Sequence, residues 1–308
     1  WFEIADNRFE GSFLFAQMPT AMEYLDISGN KFAGTLDFHK LPRPMEILYL
    51  YGNQFEGSLC LTQLPAGLKD LRVHENSFSG SIDLTCLPKN LGVFEIDGTQ
   101  LHAMLPPKHM PIGMEECVVR EIQLHNTVAL GDFPQNILYI KLWDNGSLCT
   151  LDMSGLPPSL KKLSISNNEI LQSSLDFSVF PPTICLIVLT KDKLSGELDW
   201  RKNFSKLTNV NLTENALGGT IKTSLFPRVL IDLNLSRNRF HGSFTLEGLP
   251  KLMRALDVSH NALGGNLDLD NAPATMISLN VSNNKFSPTT MDAWKLIRPS
   301  LRFRFTYL

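Results

Sequence analysis

The chain has 308 residues, with 28 Lys and Arg against 31 Asp and Glu, a formal charge of -3 and a sequence pI near 6.2. That balance excludes a whole-molecule field that would draw in nucleic acid, an anionic membrane or acidic substrates, so any charged site has to be local. Apolar residues make up 43% of the chain, enough for a continuous core, while the longest apolar run, Ile184 to Leu189, is far too short to cross a bilayer.

From Trp1 onward one frame repeats. It is clearest in LKDLRVHENSFSGSIDL, where Asn76 follows Leu68, Leu71 and Val73 and precedes Phe78, Gly80 and Ile82. The same frame gives a ladder of Asn7, Asn30, Asn53, Asn76, Thr99, Thr127, Asn145, Asn168, Asp192, Asn215, Asn238, Asn261 and Asn284. Most steps are 23 residues and one is 24; the steps into Thr127 and Asn145 are 28 and 18, together twice 23. The uneven pair predicts extra residues within 101–121, in LHAMLPPKHMPIGMEECVVRE, emerging as a loop.

Each part of the frame has a physical reason. In Leu71-Arg72-Val73 the apolar residues flank a polar one, so one face of a short strand enters the core and the other meets solvent. Stacked turns make these strands a parallel sheet. The ladder asparagine sits where the chain leaves the strand, and its amide can satisfy backbone groups that stacking would otherwise bury unpaired. Phe9, Phe32, Phe55, Phe78, Phe240 and Phe286, with Leu101, Leu194, Leu217 and Leu263, form an apolar spine that fails at Ala129 and Ser147, where a hinge is expected. Glycine four residues after the ladder, from Gly11 through Gly131 to Gly265, supplies a tight turn. Recurrent Leu-Pro steps such as Leu41-Pro42 and Leu64-Pro65 resist helix, so the convex return is expected to be extended or 3₁₀. The fold class is therefore an α/β repeat solenoid of about thirteen turns over 1–288, with 289–308 as a C-terminal cap that lays Trp294, Leu296 and Ile297 over the last turn. The opening at Trp1, inside a repeat and without Met, reads as a fragment or processed form.

These residues resemble leucine-rich-repeat proteins, nearest in pattern to the LxxLxLxxNxFxGxL class of plant receptor-like ectodomains and of kinetoplastid repeat families. The resemblance covers Trp1 to about Pro288. It implies a curved horseshoe whose concave parallel sheet binds protein, peptide or other ligands. Two departures stand out: the chain has no paired-cysteine caps, and its proline comes later than the isoleucine-proline step of plant receptors.

Solvent-facing strand positions fall six, four and two residues before each ladder position. In the first seven turns they hold Tyr24, Tyr49, Tyr51, Arg72, His74, Glu95, Asp97, His125, Tyr139, Lys141 and Trp143, with Asp70 and Glu121 beside them. Later turns hold mainly Ser, Asn and Asp. Aromatics mixed with arginine and histidine have the composition of an interface, so the expected ligand face runs from Tyr24 to Trp143. Strands favour Tyr and Trp in any case; it is their concentration in one half that points to binding.

The remaining signals are weaker. Cys60, Cys86, Cys117, Cys149 and Cys185 lack the pairing of zinc sites or disulfide caps and read as free thiols, which favours a reducing compartment. Sequons at Asn145, Asn203, Asn211, Asn234 and Asn280 leave a secreted or cell-surface location open. His102, His109 and Cys117 match no standard metal spacing. No nucleotide loop, HExxH, CxxC or GxSxG is present, and Asp83, Asp199 and Asp268 recur in one repeat column rather than as an acid pair. The expectation is a non-catalytic scaffold with a protein or peptide partner, no cofactor, no metal and no nucleic acid; the alternative is the ectodomain of a cell-surface receptor or surface protein.

Overall fold

The computed structural model describes all residues except 98–99, 104–109, 125–126, 147–149, 169–173, 201–203, 266, 288–301 and 305–308. The chain divides into two compact units, Trp1–Leu160 with Asn167–Leu171, and Lys161–Ser166 with Gln172–Leu308.

In the first unit the ladder-side strands are β1 (Phe2–Glu3), β2 (Tyr24–Asp26), β3 (Ile47–Tyr49), β4 (Asp70–Arg72), β5 (Val93–Ile96), β6 (Glu116–Arg120) and β7 (Tyr139–Trp143). Each pairs in parallel with the next, in chain order. The second unit repeats the arrangement with β8 (Lys162–Ser166), β9 (Leu186–Thr190), β10 (Asn209–Asn211), β11 (Asp232–Asn234), β12 (Ala255–Asp257), β13 (Ser278–Asn280) and β14 (Arg302–Arg304). The last pairing sets Arg302, from the tail expected to cap the stack, opposite Ser278. Trp294, Leu296 and Ile297 lie outside the described residues.

Stacking explains the core. Leu25, Leu48, Leu71, Phe94, Cys117 and Ile140 occupy one inward strand column and are all buried, with Ile27, Leu50, Val73, Ile96, Val119 and Leu142 in the next. A fully buried aliphatic side chain contributes about 1.5–3 kcal/mol relative to an exposed one, and each coil obtains it only against its neighbours.

The ladder asparagines sew neighbouring coils together. Asn76 Nδ2 donates to the carbonyls of Leu50 at 3.0 Å, His74 at 3.1 Å and Val73 at 3.2 Å, while its Oδ1 accepts from the Phe55 N–H at 3.1 Å. Asn30, Asn53, Asn215, Asn238, Asn261 and Asn284 keep the same bonds to the carbonyl 26 residues earlier. Asn7 donates within its own turn, to the carbonyls of Ile4 and Ala5.

Past the ladder each unit forms a further parallel sheet that the sequence pattern did not predict. Short parallel strands such as Lys31–Thr35, Gln54–Gly57 and Ser77–Ser81 in the first unit, and Ala216–Gly219, Arg239–Ser243 and Ala262–Gly265 in the second, carry the phenylalanine and leucine spine. Phe32 and Phe55 stack with ring centroids 6.4 Å apart. The return limb contains the expected 3₁₀ turns, among them Phe38–Lys40, Leu61–Gln63, Phe177–Val179 and Leu269–Asn271. Each stops two residues before a proline, because the residue between is driven to extended geometry, as Leu41 is at φ -63 and ψ 139. Asp37, Asp176 and Asp268 cap three of these turns by accepting from the backbone two residues on. Asp83 and Asp268 of the aspartate column thus each accept from the backbone two residues on.

Strand register corrects the sixth turn. Glu116 is opposite both Val93 and Tyr139, so the ladder position falls on Ile122, not Thr127, and the steps from Thr99 to Asn145 are both 23. Hydrogen bonds agree: Asn145 Oδ1 accepts from the Ile122 N–H at 3.1 Å, and its Nδ2 donates to the Val119 carbonyl at 3.0 Å. No extra residues are inserted within 101–121, because that turn has the common length. Leu124, buried, takes the spine position assigned to Ala129, so the expected hinge loses that support; Ser147 lies outside the described residues. Gly131 likewise does not hold the glycine position four residues after the ladder. It sits in a 3₁₀ turn, Leu130–Asp132, with the Ser154 carbonyl where a Cβ would stand.

Candidate binding face

The outward side chains of β1 to β7 form one continuous face of the first unit. At its start, Trp1 and Tyr24 stack with centroids 3.9 Å apart and planes at 10°, and Tyr24 meets Tyr49 edge-on at 6.0 Å. Tyr51, just beyond β3, stacks on His74 at 4.6 Å and 7°. Rings are offset along the stack because each strand supplies one or two and the next coil supplies their partner.

Ion pairs then lock the centre. Arg72 donates through Nε to Asp70 Oδ1 at 3.1 Å and through Nη2 to Oδ2 at 3.2 Å, and its Nη1 reaches Glu95 Oε1 at 3.1 Å. The same guanidinium lies 5.1 Å above the Tyr49 ring, whose hydroxyl donates to Asp70 Oδ2 at 2.8 Å. His74 Nδ1 is buried 3.4 Å from Glu95 Oε2 without hydrogen-bond geometry. Six side chains, Tyr49, Asp70, Arg72, Glu95, His74 and Tyr51, thereby close a ring across three coils. Burial first, and then the hydrogen bond to Asp70, pushes the Tyr49 phenol up. For Arg72 burial alone would lower the guanidinium, but Asp70 and Glu95 outweigh it and hold it charged.

Farther along, Arg120 Nε lies 3.3 Å from Asp97 Oδ2 and its Nη2 3.2 Å from Glu121 Oε1, while Lys141 Nζ is 2.8 Å from Glu116 Oε1. Asp97, buried, also accepts from the Glu75 N–H at 2.6 Å. Held in this way, the side chains retain little conformational freedom.

Of the residues read from sequence as the ligand face, Tyr24, Tyr49, Tyr51, Arg72, His74, Glu95, Asp97, Tyr139, Lys141 and Trp143 share this surface. His125 lies outside the described residues. Glu121 is off the strand, in the turn that follows it, at φ +56. Sequence reading missed Glu116 and Arg120, which occupy the strand positions that the Thr127 frame had moved five residues on. The signal was available in Glu-Cys-Val-Val-Arg, whose alternation matches a strand once the 23-residue step is kept.

The corresponding face of the second unit is different chemistry. Amides and hydroxyls pair across coils: Asn209 donates to Asp232 at 2.7 Å, Asn280 to Asp257 at 2.8 Å, and the hydroxyls of Thr213 and Ser236 are 2.6 Å apart. Cys117, once weighed with His102 and His109 as a ligand trio, is a core residue whose burial pushes its thiol up to about 12. His109 lies outside the described residues.

No protein-family model and no curated protein matches the sequence. Solved structures do. A plant peptide hormone receptor, RGFR1 in complex with RGF2, is 25% identical with a TM-score of 0.72, covering 98% of this chain and 55% of that one. The complex of PEPR1 with AtPEP1 is 19% identical, TM-score 0.69, over 99% of this chain and 48% of that one. YopM, a leucine-rich effector protein from Yersinia pestis, is 22% identical, TM-score 0.65, over 94% and 79%. The chain spans about half the length of the first two. With the 23-residue coils, the asparagine ladder and the parallel strands, these likenesses make the fold a leucine-rich-repeat solenoid.

Proposed function

We propose that this leucine-rich-repeat solenoid is a non-catalytic binding scaffold that takes a protein or peptide partner on the strand face of its first unit. The observation that carries this reading is the ring of Tyr49, Asp70, Arg72, Glu95, His74 and Tyr51, an aromatic and charged surface held in place before any partner arrives. Tyr, Trp and Arg dominate interface energetics because they bury large, stiff surfaces. One similar structure is a plant peptide hormone receptor, RGFR1, in complex with RGF2, which agrees with a partner of that class.

A triple substitution, Tyr49→Ala with Tyr51→Ala and Trp143→Ala, tests the site. Affinity purification with mass spectrometry should lose the wild-type partner, with at least a hundredfold weaker capture expected if two of the rings each contribute about 2 kcal/mol. Thermal unfolding of the variant should remain cooperative. Unchanged capture by the folded variant would exclude this face.

A second reading, the ectodomain of a cell-surface protein, is favoured by the resemblance to receptor ectodomains. It predicts glycans at Asn211, Asn234 or Asn280, which line the open face of the second unit. Asn145, fully buried in the ladder, is expected to stay unmodified. Glycopeptide mass spectrometry on chain purified from its source separates the two readings.

A further inference from the structure

The charge of -3 conceals a concentrated field. The first-unit face carries Glu3, Asp26, Asp70, Glu95, Asp97 and Glu116 on or just beyond its strands. The turn residue before the ladder adds Asp6, Glu75, Glu121 and Asp144, all exposed and all left-handed, with φ between 53 and 56. Against these ten carboxylates stand Arg72, Arg120 and Lys141, leaving seven negative charges unmatched on one face of a chain whose total is -3. The same turn column in the second unit reads Lys191, Glu214, Arg237, His260 and Asn283, so the acidity belongs to the first unit and not to the fold.

On the reading that this face is the binding surface, we propose that its partner is a basic polypeptide segment, rich in arginine or lysine, lying extended along the stack. Charge complementarity is the first argument: like-charged partners are repelled and cationic ones steered in. The second is local geometry. Arg72 shows how the face receives a guanidinium, edge-on to the Asp70 carboxylate in a two-point bond and flat above the Tyr49 ring at 5.1 Å. Carboxylate and ring recur together where no protein cation is seated among the described contacts: Glu3 and Asp26 flank the stacked Trp1–Tyr24 pair. Length is the third. Seven strands at about 4.8 Å spacing make a face about 30 Å long, which matches an extended segment of roughly nine residues.

The test is selection of a displayed random nonapeptide library on the full chain, followed by fluorescence anisotropy with an enriched peptide. Arg and Lys should be enriched over the input, and affinity should fall roughly tenfold as ionic strength rises from about 0.05 to about 0.3 M. The double variant Asp6→Asn with Glu75→Gln, which alters only exposed turn residues, should bind about threefold to tenfold more weakly. Enriched peptides that are neutral or acidic, yet lost on the Tyr49, Tyr51 and Trp143 triple substitution, would overturn the basic partner and leave the binding face standing. Peptides retained by both variants would overturn both.

Discussion

At the scale of single residues, the ladder asparagine shows how much one amide carries in a stacked fold. Asn76 satisfies three carbonyls and one N–H drawn from two coils, whereas Asn7 reaches only its own turn. Removing the amide takes away the bonds it makes to the Leu50 and Val73 carbonyls and the Phe55 N–H, at about 1–3 kcal/mol for each group that water cannot reach, while the His74 carbonyl keeps the Gly52 N–H. Asn76→Ala is therefore expected to cost about 3 kcal/mol and Asn7→Ala less than about 1 kcal/mol in chemical denaturation. Equal losses would mean that the bonds between coils contribute nothing beyond the local turn. Cys117 makes a second point. Its thiol is raised in the folded state, to about 12, while the unfolded chain ionises near the ordinary value, about 8.5. Stability from this group is thus complete below about pH 8.5 and declines as pH rises toward 12. The Cys117→Val variant should flatten that alkaline decline relative to wild type; identical slopes would remove Cys117 as its source.

Elements were legible in the sequence wherever their side chains advertise a role, and illegible where backbone alone decides. Strand alternation, the phenylalanine column and the Leu-Pro steps led directly to β-strands, spine and 3₁₀ return. The sheets past the ladder are not legible because their strands contain Gly-rich segments such as Ala216–Gly219, with too little apolar alternation to reveal a pairing edge. The sixth turn was misplaced because a Thr was preferred over Ile in a column of amides, although Ile122 fills the same place and remains buried. Polarity is one solution at that position and not a requirement. Since an amide is the usual occupant of this column, Ile122→Asn is expected to change stability by less than about 1 kcal/mol. Ile140→Asn, one polar group placed in the strand core, should cost about 3 kcal/mol or more. Denaturant midpoints of the two variants check the register, and a severe loss at Ile122 would restore the Thr127 frame.

At the scale of the whole molecule, composition misleads because it averages. A chain near neutrality contains one face crowded with carboxylates and rings and another of paired amides and hydroxyls. The candidate site was partly readable from sequence, since any strand position in a regular repeat can be assigned to a face by counting. What counting could not supply was the network: that Arg72 bridges Asp70 and Glu95, or that His74 lies against Tyr51, depends on the spacing between coils and not on the order of residues within one.

The left-handed turn before each ladder position has one more consequence. Among the described residues eleven non-glycines adopt positive φ, and ten of them hold this place, from Asp6 to Asn283; the eleventh is Lys193. Their side chains point outward from a backbone fixed by the ladder, and nearly all are exposed, so the core is indifferent to what they carry. A row of this kind is writable: its charges can be exchanged one coil at a time without disturbing the stack, and solenoids of identical architecture can acquire opposite preferences for their partners by editing that row alone.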